Sequence, residues 1–423
     1  MKASQPTQHS EAFWAPLVRQ CLLTAPTPFY LFSIEPIRVA LAELHKVTDP
    51  LPFPTKHWLS LKTQPVRPLL QWWHKQDFGI EVVSEFELLA ALREGFLPEK
   101  ILVNGPAKHH WLPRHPIHGL RVNLDSLQEL SFLAPLVKSL DWSLGIRFLT
   151  DEEFDPEEPA CATQFGLTPD EAAIALKRLL RLELKLETVH FHLRTNVSSI
   201  SSYQRAFTQV ADICRQFRFK PRHLDCGGGW PPHRVRSLAG KPMDHGFDYL
   251  GLTSIYASAK DLFPGLQELW LENGRFLSAG SGVLVVKVLD SKIRRGMRHL
   301  ICDGGRTTQA LVSNWEQHEL FTLPPRIGPS IRTTIHGPTC MAFDRLARCP
   351  QPRSLRPGDH LVWMDAGAYH IPWETRFSHG AAAVLWHEDG RLALAREREP
   401  FSSWWAQWDL LRTANQHPHP AAS

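Results

Sequence analysis

The sequence predicts a (β/α)8 TIM barrel followed by a mainly β domain, and three observations lead there. Between about residues 28 and 280, short apolar runs alternate with amphipathic stretches, the pattern of βαβ units in a parallel sheet. About eight such units fit into roughly 250 residues, which suits a closed barrel better than an open sheet. After residue 281 the helical period fades and strand-like runs with turn punctuation take over.

Taken in order, FYLFSI reads as a strand followed by a helical pattern in EPIRVALAELHKV. HWLSL, IEVVS, ILVNG, LRVNLDS, DWSLGIRFLT, ETVHFHLRT, HLDCGG and ELWLENG are further strand candidates. PVRPLLQWWHKQ, EFELLAALREGF, TPDEAAIALKRLLRLEL and SYQRAFTQVADICRQFRF carry the helical period between them. In the second part SGVLVVKVLDSK, RHLICDGG, HLVWMDAG and AAAVLWHEDGRLALAR read as strands. Asp389-Gly390 is a tight hairpin signal, because both residue types tolerate positive φ. The expected division is a lead-in over 1–35 that packs with the β-domain, a barrel over 36–280, and a β-domain over 281–423 with a Trp-rich tail, FSSWWAQWDLL.

Composition narrows the function. The chain has 423 residues and a net charge of +4 without a concentrated basic stripe, which argues against nucleic acid as a partner. No apolar run approaches a membrane span, and MKASQPTQHSEAFW lacks the apolar run of a signal peptide. Seven scattered cysteines without CxxC spacing oppose a disulfide framework or a zinc ribbon, so a cytoplasmic location is expected. His109-His110 and His417/His419 lack acidic or cysteine neighbours at ligand spacing, so no metal is expected.

In barrels the chemistry sits at the C-terminal ends of the strands. Those ends carry Lys62, Ser84, Arg147, His192, Thr195, Asp225, the run Gly227, Gly228 and Gly229, then Glu272, Gly274 and Arg275. Consecutive glycines let backbone N–H groups approach a phosphate without Cβ interference, and Arg275 can add a bidentate contact. A lysine in a dry barrel mouth suits Schiff-base chemistry, burial lowering its pKa. Singly, each residue has a plainer reading. A strand-end lysine is commonly a solvated rim residue, and CGGGW does not match GxGxxG. The combination, in this order, points to a phosphorylated ligand and an amine nucleophile.

Six segments carry a resemblance: LSLKTQP, HFHLRT, LDCGGGWPP, ENGR, GPTCMAFD and DAGAY. Through them the chain resembles the fold-type III pyridoxal-phosphate (PLP) decarboxylases, the diaminopimelate, ornithine and arginine decarboxylase group, whose barrel is related to that of alanine racemase. The resemblance implies that Lys62 binds the cofactor as a Schiff base and that His192 stacks on its ring. It places Thr195, the loop Gly227–Gly229, Gly274, Arg275 and Tyr369 around the phosphate, and Glu272 against the pyridine nitrogen. It also implies that Cys340 reaches into the active site of a second subunit. A homodimer with shared sites follows, with Cys340 or Lys62 protonating the α-carbon. Departures are Thr63-Gln64 after the lysine, where the family has Ala-Asn, and Arg194, where it has glycine.

The substrate is read from the same departures. In the diamino-acid enzymes an acidic residue follows the cysteine. Met341 stands there in this chain and cannot neutralise a buried cation, although Asp344 is three residues on. TTQALVSNW also lacks the Arg-Pro that helps bind the distal group of diaminopimelate. Arg194, Arg306, His370, Trp373 and Arg376 favour a substrate with an extra carboxylate. HIPWETRFSHG resembles the branch that decarboxylates acid-linked amino acids, such as citryl conjugates, in siderophore or peptide-antibiotic biosynthesis. The alternatives are a diaminopimelate/ornithine-type decarboxylase of primary metabolism and a non-catalytic regulatory homologue. A racemase would need a second acid/base opposite the lysine, and GPTC belongs to the decarboxylase side.

Overall fold

The computed structural model describes residues 10–154, 160–308 and 316–409. Strand β1 (Phe29–Ser33) opens the chain after a helix at Glu11–Cys21. Seven strands follow: β2 (Thr55–Ser60), β3 (Gly79–Val82), β4 (Ile101–Val103), β5 (Arg121–Leu124), β6 (Ser143–Arg147), β7 (Leu186–His190) and β8 (His223–Asp225). After the short β9 (Arg236–Ser237), β10 (Glu268–Leu271) closes the barrel by pairing in parallel with both β8 and β2. Helices between the strands begin with side-chain caps where the sequence offers them. Ser84, Ser126 and Thr168 each accept an N–H from the third residue on, and Thr168 with Glu171 completes a capping box.

FYLFSI, first in the alternating series, stays outside the barrel. The β10–β2 pairing leaves the barrel no free edge, so β1 joins the other sheet instead. It runs antiparallel to β11 (Gly282–Arg294) and parallel to β18 (Ala383–Glu388). Alternate side chains separate as a strand requires. Phe29 and Leu31 pack with Trp14 and Val18 of the first helix, while Tyr30 and Phe32 join the main core.

The second sheet has nine strands. β12 (Met297–Cys302), β15 (Ser330–His336) and β16 (Arg345–Pro352) continue from β11 on one side, and β19 (Arg391–Arg396) lies beyond β18 on the other. β17 (His360–Trp363) pairs with β11 and with β14 (Leu320–Leu323). The barrel followed by a β-domain is therefore the architecture that the alternation and its loss predict. The β18–β19 hairpin turns at Asp389 (φ 49°) and Gly390 (φ 75°), both in the left-handed region. One small ladder ties the halves together: β13 (Glu316–Gln317) pairs with β9, which lies between barrel strands β8 and β10 in the chain.

β14, β15 and β16 are not among the strands read from sequence. β16 carries arginines and two prolines on a largely exposed edge, so it lacks an apolar run. The Trp-rich segment forms a short helix at Phe401–Ala406 with no buried residue, and Trp408 beyond it is 66% exposed. These aromatics therefore lie outside the core of the single chain, and residues 410 and 411 lie outside the described residues. Among the described residues, no helix is long and apolar enough to cross a membrane.

Candidate active site

The C-terminal ends of the barrel strands surround a cavity of about 300 Å³. Lys62, His192, Thr195, Gly229, Glu272, Gly274, Arg275 and Tyr369 all border it. Gly227 and Gly228 lie in the turn that leads to Gly229. Lys62 stands in a tight turn, Leu61–Thr63, directly after β2. At that turn the Gln64 side chain has a structural use, whereas Thr63 contributes through its backbone. The Thr63 carbonyl accepts the Tyr369 N–H at 2.8 Å, and the Gln64 amide donates to Ser281 Oγ at 3.1 Å. Both bonds clamp the lysine turn to the junction with the β-domain.

One end of the cavity is a glycine cradle. Gly227 (φ 60°) and Gly229 (φ 100°) adopt left-handed backbone that side chains disfavour. A Cβ on Gly227 would lie 2.5 Å from His192 Nδ1, on Gly228 2.5 Å from the Glu272 carbonyl oxygen, and on Gly229 2.6 Å from that of Arg194. Tyr203 fixes the turn by donating its hydroxyl to the Gly228 carbonyl at 2.7 Å. Beside the cradle, Arg275 donates through Nε to Thr195 Oγ1 at 3.0 Å, and Tyr369 lays its ring 4.7 Å from the guanidinium. Arg275 also forms an ion pair with Glu316 of β13. Burial opposes the charge of Glu316, but Arg275 and then His318 outweigh it and hold the carboxyl down at about 2.

His192 is a neutral imidazole. Burial, then Arg147 and Lys62, depress its pKa to about 3. The Gly228 N–H donates to Nδ1 at 3.2 Å, which leaves the ring proton on Nε2.

Lys62 corrects the sequence reading of its charge. Burial does work to lower its pKa, but Glu81, Tyr369 and Glu272 outweigh it and raise the value. Lys62 Nζ lies 2.9 Å from both carboxylate oxygens of Glu81, which also accepts from Ser60 Oγ at 2.6 Å. Glu81 was missed from sequence. Its signal was a carboxylate facing inward on an otherwise apolar strand, IEVV.

Glu272 lies at the floor of the cavity, with Asp225 fully buried close to it. Asn104 donates to Glu272 Oε1 at 2.5 Å, and Asn123 donates to Asp225 Oδ2 at 3.1 Å. Burial pushes the Glu272 carboxyl well above the usual range and that of Asp225 to about 7. Arg147 borders the cavity with Glu153 at 2.5 Å and the Phe165 ring at 4.6 Å. Ser84 is a helix cap, not a site residue.

The expected substrate residues are not brought to the cavity within one chain. Cys340 is exposed on the loop after β15, and neither it nor Met341 borders the cavity. Asp344 is 1% exposed and accepts from the Arg306 N–H at 2.7 Å, the Thr339 N–H at 3.0 Å and Thr339 Oγ1 at 2.5 Å. Its acceptor capacity is used by its own loop and by the backbone of Arg306 after β12, so it does not compensate for Met341. Arg194 donates to the Glu152 carbonyl at 3.2 Å and lies 4.5 Å from the Phe154 ring. Arg306 donates to the Phe343 carbonyl at 3.3 Å. Most of the segment TTQALVSNW lies outside the described residues.

Comparison with known proteins agrees with this geometry. Residues 40–279 match the family described as pyridoxal-dependent decarboxylase, pyridoxal binding domain. Diaminopimelate decarboxylase of Aquifex aeolicus is 26% identical over 338 residues, covering 76% of this chain and 78% of its own. Diaminopimelate decarboxylase of Deinococcus radiodurans is 26% identical over 386 residues, covering 90% and 96%. Among solved structures, the Helicobacter pylori diaminopimelate decarboxylase complexed with L-lysine superposes with a TM-score of 0.79 at 22% identity, over 92% of this chain and 99% of that one. The Vibrio vulnificus lysine/ornithine decarboxylase complexed with cadaverine gives 0.76 at 19% identity, over 89% and 98%.

Proposed function

Because the chain belongs to the pyridoxal-dependent decarboxylases, we propose that it removes the α-carboxylate of an amino acid with PLP seated in the Lys62 cavity. It is a carboxy-lyase with PLP as its cofactor. The observation that carries the reading is the placement, around one cavity, of an amine, a glycine cradle and a buried carboxyl. The cavity fits the cofactor. The three cradle glycines have no room for a Cβ, while Thr63 Oγ1, His190 and Arg147 Nε are buried polar atoms without a hydrogen-bond partner among the described residues. Gly227, Gly228, Gly229, Thr195, Arg275 and Tyr369 would hold the phosphate, His192 would pack on the ring, and Glu272 would face the ring nitrogen. When bound, the cofactor supplies an electron-withdrawing ring that takes up the electron pair released with carbon dioxide.

The chain's own residues set up that reaction. Lys62 must lose a proton before its amine can act, and until then Glu81 holds the ammonium in place through both carboxylate oxygens at 2.9 Å. His192, neutral and fixed by Gly228, offers a flat uncharged face. A water-poor cavity strengthens each of these contacts. Cys340 stands exposed, as a group that serves the site of a second subunit would, and supports a homodimer in which it delivers a proton to the α-carbon.

The relatives named above support a diamino acid, diaminopimelate first and then lysine or ornithine. The acid-conjugate reading keeps Met341 after the cysteine, the missing Arg-Pro and the HIPWETRFSHG resemblance, and loses support from Arg194 and Arg306, which bond elsewhere. The test is carbon dioxide release by PLP-loaded protein from diaminopimelate, lysine, ornithine and citryl-linked amino acids. Release from diaminopimelate, absent in Lys62→Ala, is expected. Release only from the acid conjugates would restore that substrate class. No release from any of them would leave a regulatory homologue.

A further inference from the structure

At and just beneath the floor of the cavity lie two carboxyl groups that belong to no ion pair with lysine or arginine among the described residues. Asp225 is 0% exposed and Glu272 7%. Their carboxyl groups are hydrogen-bonded to one another, and an oxygen of each lies within 4.8 Å of a ring nitrogen of His190. The groups that face the pair come from every strand end around it. Asn104 and Asn123 follow β4 and lie on β5, and both are neutral. His190 ends β7 and is kept neutral by burial, with both ring nitrogens unpartnered among the described residues. Lys62 after β2 is engaged by Glu81 of β3, and Arg147 of β6 by Glu153.

Two carboxylates in contact at such a depth cannot both stay ionised, since desolvation and mutual repulsion act together. Two neutral acids fit poorly as well. Both oxygens of Asp225 already accept N–H bonds, from Gly227 at 3.0 Å on Oδ1 and from Asn123 at 3.1 Å on Oδ2. That pattern favours the charged form of Asp225 and leaves Glu272 as the donor between them.

We propose that Asp225 is a positioning residue that shares one proton with Glu272, keeping the charge itself and holding Glu272 as the acid at the cavity floor. The inference rests on the PLP reading for the destination of the proton, the ring nitrogen that Glu272 would face. Glu272 would then supply the proton locally: its O–H bond would break as the ring nitrogen accepted the proton, with none drawn from solvent. The charge of Asp225 behind Glu272 would make return of that proton to water unfavourable.

Infrared spectroscopy of the cofactor-free protein reads this proton without reference to activity. At about pH 9, where an unperturbed carboxyl is fully ionised, the wild type should show a carboxylic-acid carbonyl band that Glu272→Gln removes. Glu87 and Glu153, at about 7, should be largely ionised there. In Asp225→Asn the band should persist but titrate about 1–3 pH units lower, the effect of losing an adjacent negative charge. Absence of the band in the wild type, its survival in Glu272→Gln, or an unchanged titration in Asp225→Asn would each overturn the proposal. Should the variants fail to fold, wild type labelled with 13C-glutamate or 13C-aspartate gives the answer directly. The band should move with glutamate alone, and movement with aspartate would contradict the assignment. Borohydride trapping on Lys62 is run in parallel. A trapped adduct without the band defeats only the shared proton, whereas the band without an adduct defeats only the PLP reading.

Discussion

Lys62 and Cys340 are met in different surroundings. Around Lys62, Glu81 on the next strand supplies the counter-charge, Tyr369 and Glu272 border the same cavity, and the glycine cradle lies within the same chain. Cys340 lies exposed on a β-domain loop whose carboxylate, Asp344, is turned inward to hold the loop itself. The difference teaches that the residues proposed to hold the cofactor converge within the single chain, while the cysteine proposed to deliver a proton does not reach that cavity from its own chain.

The comparison can be broken most forcefully at the barrel end. Lys62→Ala should abolish carbon dioxide release and leave no borohydride-fixable absorbance. At the other end, Cys340→Ala should lower turnover about 10²–10⁴-fold, the range for loss of a general acid. Cofactor affinity, measured by absorbance titration, should stay unchanged. Mixing the two variants sharpens the contrast. If the sites are shared across a two-fold interface, random re-pairing should restore about a quarter of wild-type activity, whereas a self-contained site would restore none.

Smaller effects separate the two regions further. In Glu81→Gln the amine of Lys62 should titrate about 1–3 units lower, since the opposite charge that offsets burial is gone. The pH dependence of amine modification in the cofactor-free protein checks this. Glu316, on the ladder that joins the halves, has a depressed folded pKa. Its stabilising contribution is therefore full above the unfolded value of about 4.3 and lost as pH falls toward about 2. Thermal denaturation across that window should show a steeper acid loss in the wild type than in Glu316→Gln. Least of all, Gly390→Ala should cost about 1 kcal/mol through its positive φ, with cofactor binding untouched.

Much of this was legible in the sequence where a pattern is local. Period-2 and period-3.6 runs mark all eight barrel strands, and Asp389-Gly390 marks its hairpin. FYLFSI has the same local signature, but its place in the other sheet is decided by barrel closure, a non-local event. The cradle and Lys62 were visible because glycine runs and a strand-end lysine have chemistry of their own. Glu81, Asn104, Asn123 and Glu316 were not singled out. Each is one polar residue in a short strand or just beyond its end, and its importance depends on which side chains converge from other strands. Charge at Lys62 was misjudged for the same reason, because burial was legible and its counter-ion was not.

The central claim, that Lys62 of this chain holds PLP, is tested most directly by borohydride reduction of the loaded wild-type protein and peptide mapping. The account predicts one reduced pyridoxyl adduct per chain, on Lys62 in the peptide containing LSLKTQP. An adduct on another lysine, or none after saturation with PLP, would contradict it.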